Sequence, residues 1–129
     1  MSNYIDIEDA LQAMLNADTT ITASACAKPL PASFVMPHIV VDELNAYDVN
    51  RAQAVYNVVF TIRAAEYAQA AQLACELGDW VRGLEGATIG GKPCYQVDAL
   101  TKQRVEPDAS HESALLAKVS ASLWLRVAD

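Results

Sequence analysis

Hydrophobic positions recur along the chain with two periods, one near three and a half and one of two, and the switches between them divide it into helices and strands. In the first segment, Asn3 to about Asn16, the residues Tyr4, Ile7, Leu11, Met14 and Leu15 fall at intervals of three and four, with Asp6, Glu8 and Asp9 in the opening turns. This predicts an amphipathic helix, capped by Ser2 or Asn3 and ended by the polar stretch Asn16 to Thr20. From Ile21 to Pro37 the prolines Pro29, Pro31 and Pro37 deny helix interiors and central ladder positions, which predicts an irregular connector. His38 to Leu44 is rich in β-branched residues, with Ile39 and Val41 alternating against His38, Val40 and Asp42, and reads as a strand. The polar stretch Asn45 to Gln53 reads as the loop to a second strand, AVYNVVFTIRA. There Tyr56, Val58, Phe60 and Ile62 share one face, and the pair should form a hairpin. Its other face mixes Asn57, Thr61 and Arg63 with Val55 and Val59, which implies a surface only partly solvated.

Between Glu66 and Leu84 the period lengthens again: Ala70, Leu73, Leu77, Trp80, Val81 and Leu84 form a stripe opposite Gln69, Gln72, Glu76 and Asp79. Gly83 and Gly86 supply the exit from this second helix. Gly90-Gly91 turns the chain into a third strand, Lys92 to Val105, and Glu106 to Ser113 reads as a loop. The last segment, LLAKVSASLWLRV, alternates most cleanly. Leu115, Ala117, Val119, Ala121, Leu123, Leu125 and Val127 point one way, and Lys118, Ser120, Ser122 and Arg126 the other. At roughly 3.3 Å per residue this strand would run about 43 Å, which predicts that it overhangs its own core. The expected fold is α+β: a mainly antiparallel four-stranded sheet with two helices packed on one face, in the order α-β-β-α-β-β.

Composition narrows the class. With 129 residues, 53% of them hydrophobic and 19% charged, the chain suits a single domain, residues 1–129, with a real core. The start MSNYIDIEDA is acidic where a secretory signal would be basic, and no apolar run approaches a bilayer span, so a soluble cytoplasmic protein is expected. Cys26, Cys75 and Cys94 are odd in number and far apart, which argues for buried hydrophobes over a disulfide framework or zinc knuckle. Nine Lys+Arg against 16 Asp+Glu give a net charge of -7, unsuited to stable nucleic-acid binding.

No motif for chemistry stands out. His38 follows a proline at a strand head, the ordinary setting of a satisfied or solvent-facing imidazole. Ser110-His111-Glu112 places nucleophile, base and acid side by side, whereas working triads join distant segments. Gly86 and Gly90-Gly91 lead toward a strand, not the helix start that a phosphate loop needs. The carboxylates form no paired-acid motif, and no metal or cofactor site is expected. The absence of a chemical motif favours assembly over catalysis. Trp124 is the anomaly: it falls on the polar side of the last strand, between Ser122 and Arg126, as part of a second core or as an interface anchor. The loops 45–53 and 106–113 are natural places for contacts between copies.

The run from PLPASFVMPHIVVDE through DVNRAQAVYNVVFTIRA to AAEYAQAAQLACELGDWVRGL, behind an acidic first helix and before two long strands, resembles the tail terminator proteins of bacteriophages and prophages. These are also called minor tail or tail completion proteins. The resemblance implies a virion assembly protein made in the host bacterial cytoplasm and carried in the virion tail, with neither enzymatic activity nor cofactor. It would form a ring, usually hexameric, on the tail tube, end polymerisation and join tail to head; the purified protein would be either that ring or a monomer poised to form it. Its partners would be further copies of itself, the tail tube protein and the head–tail connector, and a lumen poor in Lys and Arg would let DNA pass. Subunit and tube contacts would then fall on Asp48, Asn50, Arg51, Lys118, Trp124 and Arg126. Two other readings stand beside it. One is another head–tail joining or tail tube protein; the other is a small ligand-binding or enzymatic α+β domain using the cleft between helix 66–84 and the sheet.

Overall fold

The computed structural model describes residues 4–110 and 113–127. In chain order it contains α1 (Ile7–Ala17), β1 (Ser24–Ala27), β2 (His38–Asn50), β3 (Gln53–Ala64), α2 (Tyr67–Arg82), β4 (Thr88–Ile89), β5 (Lys92–Lys102), β6 (Glu106–Pro107) and β7 (Leu115–Arg126). The expected four-stranded, mainly antiparallel α+β sheet is incorrect: the fold is mostly β, a curled mixed sheet of seven strands. Its order is β1-β2-β3-β7-β5-β4, with β6 also on β7, and β1 pairs parallel to β2. The additional strands are short. β1 lies within the proline-rich connector, β4 precedes the Gly90-Gly91 turn, and β6 lies in the supposed loop 106–113. Segments of two to four residues carry too little periodicity to register in a sequence.

The centre of the sheet is the antiparallel pair β3–β7, in unbroken register from Gln53↔Arg126 to Ala64↔Leu115. Tyr56, Phe60 and Ile62 of β3 and Ala117, Val119, Leu123 and Leu125 of β7 are all buried on one face. Both helices pack on that face in a single core: Ile7, Leu11 and Leu15 of α1, and Leu73, Ala74, Leu77 and Val81 of α2. Trp80 is partly buried and meets the Phe60 ring edge-on at 6.2 Å. The expected overhang of the last strand is not present. β7 is interior, with β3 along one side and β5 and β6 along the other, so its length is used within the subunit.

Two helix and turn details differ from expectation. α1 begins at Ile7, not Asn3, and its cap is Asp6, whose carboxylate accepts the Asp9 N–H at 3.1 Å. The supposed caps Ser2 and Asn3 lie outside the described residues. After α2 the backbone of Gly83 stays right-handed, and Gly86 takes the positive φ. Gly90 and Gly91 both have positive φ between Ile89 and Lys92, the conformation a two-residue hairpin turn demands.

The polar side of α1 has a structural role. Glu8, Gln12 and Asn16 recur every four residues and form one stripe along the helix. Asn16 bonds both backbone groups of Ala25, accepting from its N–H at 2.9 Å and donating to its carbonyl at 3.0 Å. Gln12 accepts from the Ala27 N–H at 2.6 Å, and Glu8 from the Glu43 N–H at 2.8 Å. The stripe thus takes the place of a further strand, satisfying donors that would otherwise be left unpaired. It ends at Glu43. β2 itself continues to Asn50, so the stretch Asn45 to Gln53 is not a loop but the far half of a hairpin, turned at Arg51 and Ala52.

At the opposite end of the sheet Arg63 donates to the Asp108 carboxylate at 2.8 Å, with side-chain exposures of 13% and 3%. Burial alone would raise the Asp108 pKa, but the Ser110 hydroxyl and N–H and the Arg63 guanidinium outweigh it and hold the carboxyl well below the usual range. A depressed carboxylate contributes stability above its unfolded pKa of about 3.9, and loses it as pH falls toward the folded value. Arg63→Ala is therefore expected to cost about 3 kcal/mol at neutral pH in urea unfolding, with the deficit shrinking below about pH 4. A deficit independent of pH would contradict the assignment.

Candidate assembly surface

The sheet's second face carries no helix among the described residues. Its side chains are arranged in rows across β2, β3, β7 and β5. The first, His38–Arg63–Leu116, is covered by loops, with the Phe34 ring 5.5 Å from His38 and Asp108 on Arg63. Further along come Val40–Thr61–Lys118 and Asp42–Val59–Ser120–Thr101. The next row, Asn45–Asn57–Ser122–Asp98, is hydrogen-bonded: Ser122 Oγ donates to Asn57 at 2.5 Å, and Asn57 Nδ2 to Asn45 at 2.7 Å. Tyr47–Val55–Trp124–Gln96 follows, and Asn50–Gln53–Arg126 closes the face. Between Leu44 and Thr101, over Asn57, Ser120 and Ser122, lies a depression of about 310 Å³.

The Trp124 row holds the residue that the sequence singled out. Trp124 is partly buried, pairs with Val55, and meets the Tyr95 ring edge-on at 6.3 Å. Its indole N–H is buried without an acceptor. Leu44, Tyr47, Val49 and Tyr95 nearby are exposed, Leu44 by 63%. A cluster of large apolar side chains on a bare sheet face, with one donor unsatisfied, has the composition of an interface.

The sequence-predicted contact residues are not all on this patch. Asn50, Arg51 and Arg126 gather with Trp124 at the hairpin end; Asn50 Oδ1 accepts from the Ala52 N–H at 2.9 Å and its amide donates to Gln53 at 2.8 Å, closing the turn. Lys118 shares the open face, but six residues from Trp124 along β7, roughly 20 Å away. Asp48 faces the helix side, where the Tyr4 hydroxyl donates to it at 2.5 Å and is pushed up to about 12 by that bond and by the nearby negative charge. Tyr47, Val55 and Tyr95 were not singled out by sequence. Their signal was the alternation Asn45, Tyr47, Val49, obscured by neighbours that are common in turns.

Two edges of the sheet remain without a partner strand among the described residues. β1 pairs with β2 only as far as Val41, which leaves Leu44 to Asn50 open beyond the Glu8 bond to Glu43. β4 ends opposite Lys92 and Pro93, and Gly86 and Ala87 bond Cys94, which leaves Tyr95 to Lys102 open.

Groups suited to chemistry are arranged differently. Cys26 Sγ lies 3.1 Å from His38 Nε2, and His38 Nδ1 is buried without a partner. Burial pushes the thiol up and the imidazole down, with Arg63 lowering both, so the pair is neutral where a nucleophilic cysteine needs a thiolate. His111 and Glu112 lie outside the described residues. The cleft between α2 and the sheet exists as a groove of about 260 Å³. It is lined by Ala74, Cys75, Gly78, Asp79, Arg82, Leu100, Lys102 and Val119, with no histidine among the described residues as base for the cysteine. No cluster of three or more metal-ligating side chains occurs among the described residues, and no described helix is long and apolar enough to cross a membrane.

The described residues thus define a small mostly β fold with one helix-covered face, one bare face and two open edges. No known family matches its sequence, and no curated protein does. Its fold is shared with a chain from the virion of a native gene transfer agent particle, at 18% identity and a TM-score of 0.54 over 95% of this chain and 99% of that one.

Trp124→Phe keeps the ring and removes the unsatisfied donor, so the isolated chain should keep its stability to within about 1 kcal/mol. Trp124→Ala should lose roughly 2 kcal/mol or more in the same urea titration. Equal losses for the two would mean that the indole N–H is satisfied.

Proposed function

We propose that this chain is a structural subunit of a phage-like particle and, within that class, a tail terminator. The reading rests on the fold shared, end to end, with a chain of a gene transfer agent virion. The open edges and the bare apolar patch supply the means of assembly. Copies form a ring on the completed tail tube, block addition of further tube subunits, and present a surface to the head–tail connector. Neither cofactor nor catalysis takes part. The chain is made in the bacterial cytoplasm and leaves in the virion tail. The net charge of -7 suits a ring through which DNA passes, because a wall poor in cations does not hold phosphate.

Deletion of the gene is expected to give tails of uncontrolled length, seen by electron microscopy, and peptides of the chain should be found in purified wild-type particles. Complete loss of tails would favour a tube protein over a terminator. Tails of normal length, with the chain missing from purified particles, would overturn the structural reading.

A further inference from the structure

We infer that a second copy of this chain docks edge to edge, the open half of β2 in one copy beside the open half of β5 in the next, as a head-to-tail contact. The inference rests on the structural-subunit reading and adds to it the partner, the strands and the charges involved. Three observations carry it.

The first is direction. β2, β3, β7 and β5 are each antiparallel to their neighbour, so β5 runs opposite to β2. A rotation about an axis along the strands preserves strand direction. It therefore sets β2 of the second copy antiparallel to β5 of the first, continuing the ladder.

The second is charge. Asp42 and Glu43 stand at the beginning of the open β2 edge, with Glu8 beside them. Burial raises the Glu43 pKa, and Glu8, Asp6 and Asp42 raise it further, a mark of crowded acid; the nearest cation, Lys28, is 3.7 Å from Asp42 and largely exposed. On β5 Lys102 stands on the helix-covered side, in register across the sheet with Val119, Phe60 and Val41, one alternation from Glu43. Arg104 follows Lys102, and Arg82 lines the same groove together with Asp79. Without a slide along the strands, Lys102 of one copy comes level with Val41 of the next, at the end of β1, and reaches Glu43 one alternation along on the same face, while Asp42 faces the other side, level with Thr101. Two-fold pairing of β2 with β2 would instead set one acidic edge against another, which charge disfavours relative to the head-to-tail arrangement.

The third is the apolar row. Gln96 and Trp124 stand in register with Tyr47, and the same docking places Tyr95 of one copy beside Tyr47 and Val49 of the next. The exposed residues of both edges become one buried strip. Ala99 has a φ of 52° within the β5 bulge, which confines regular pairing to the stretch from Tyr95 to Asp98 and leaves Lys102 to act through its side chain.

The test uses charge reversal in the full chain, read by native mass spectrometry and sedimentation. Wild type is expected to self-associate, more weakly at high salt. Lys102→Glu with Arg104→Glu, and separately Asp42→Lys with Glu43→Lys, should each weaken self-association by about tenfold or more. Mixing the two variants, or combining all four changes in one chain, should restore it, which also shows that each variant folds. Single-edge variants that associate like wild type, a mixture that fails to restore association, or a wild type that stays monomeric at all concentrations would each overturn the inference. Detection of the chain in purified particles separates the two failures: present, the edge contact alone is wrong; absent, the structural reading falls with it.

Discussion

Everything in this fold depends on one pairing. β3 and β7 lie in register over twelve residues, each alternating between the helix-covered side and the bare side. A slip of β7 by one residue against β3 would move Leu123 and Leu125 out of the core and put Ser122 and Trp124 into it, so the hydrophobic pattern permits one register. The helices add their buried stripes to a sheet whose geometry this pair has set. The bare side follows from the same alternation, because residues that oppose the core side chains must face away from it.

The edges are treated unequally. Along β1 and the start of β2, the α1 stripe of Glu8, Gln12 and Asn16 bonds the outward backbone groups as a strand would. Beyond Glu43 this cover stops, although the strand continues through Leu44, Tyr47 and Val49 with their side chains exposed. Exposed apolar edges are an aggregation hazard that proteins ordinarily suppress. Their retention here, in a chain that has already closed one edge with side chains, is understandable when the open stretches serve a defined partner. The bulges in β2 and β5 limit how much of each edge can pair.

Much of this was legible in the sequence, and the gaps have physical reasons. The long alternations of β3 and β7 and the stripe of α2 were read correctly because period and burial agree over many residues. The β2–β3 hairpin was also legible, but not its length. Asn45, Asp48 and Asn50 are common in turns, and the strand containing them is half exposed, so neither composition nor burial marks it. The short strands were missed because their pairing is dictated by tertiary contacts, and α1 was started too early because Tyr4 falls in helical phase while it binds Asp48 from outside the helix. For the surface, sequence pointed to Trp124 and to Arg126 with the hairpin end. It grouped Asp48 and Lys118 with them, although those residues occupy the other face and the other end of the sheet. Only register across strands could separate them.

The central claim is that the fold is complete without a partner and that assembly engages its two open edges. Amide hydrogen exchange, followed by mass spectrometry on dispersed and assembled chain, tests it directly. In the dispersed chain, residues 54–64 and 115–126 should exchange slowest and residues 44–50 and 95–98 quickly; in the assembly, those two edge stretches should slow while α2 stays unchanged. Edges that remain fast after assembly, or central strands that become protected only then, would contradict the account.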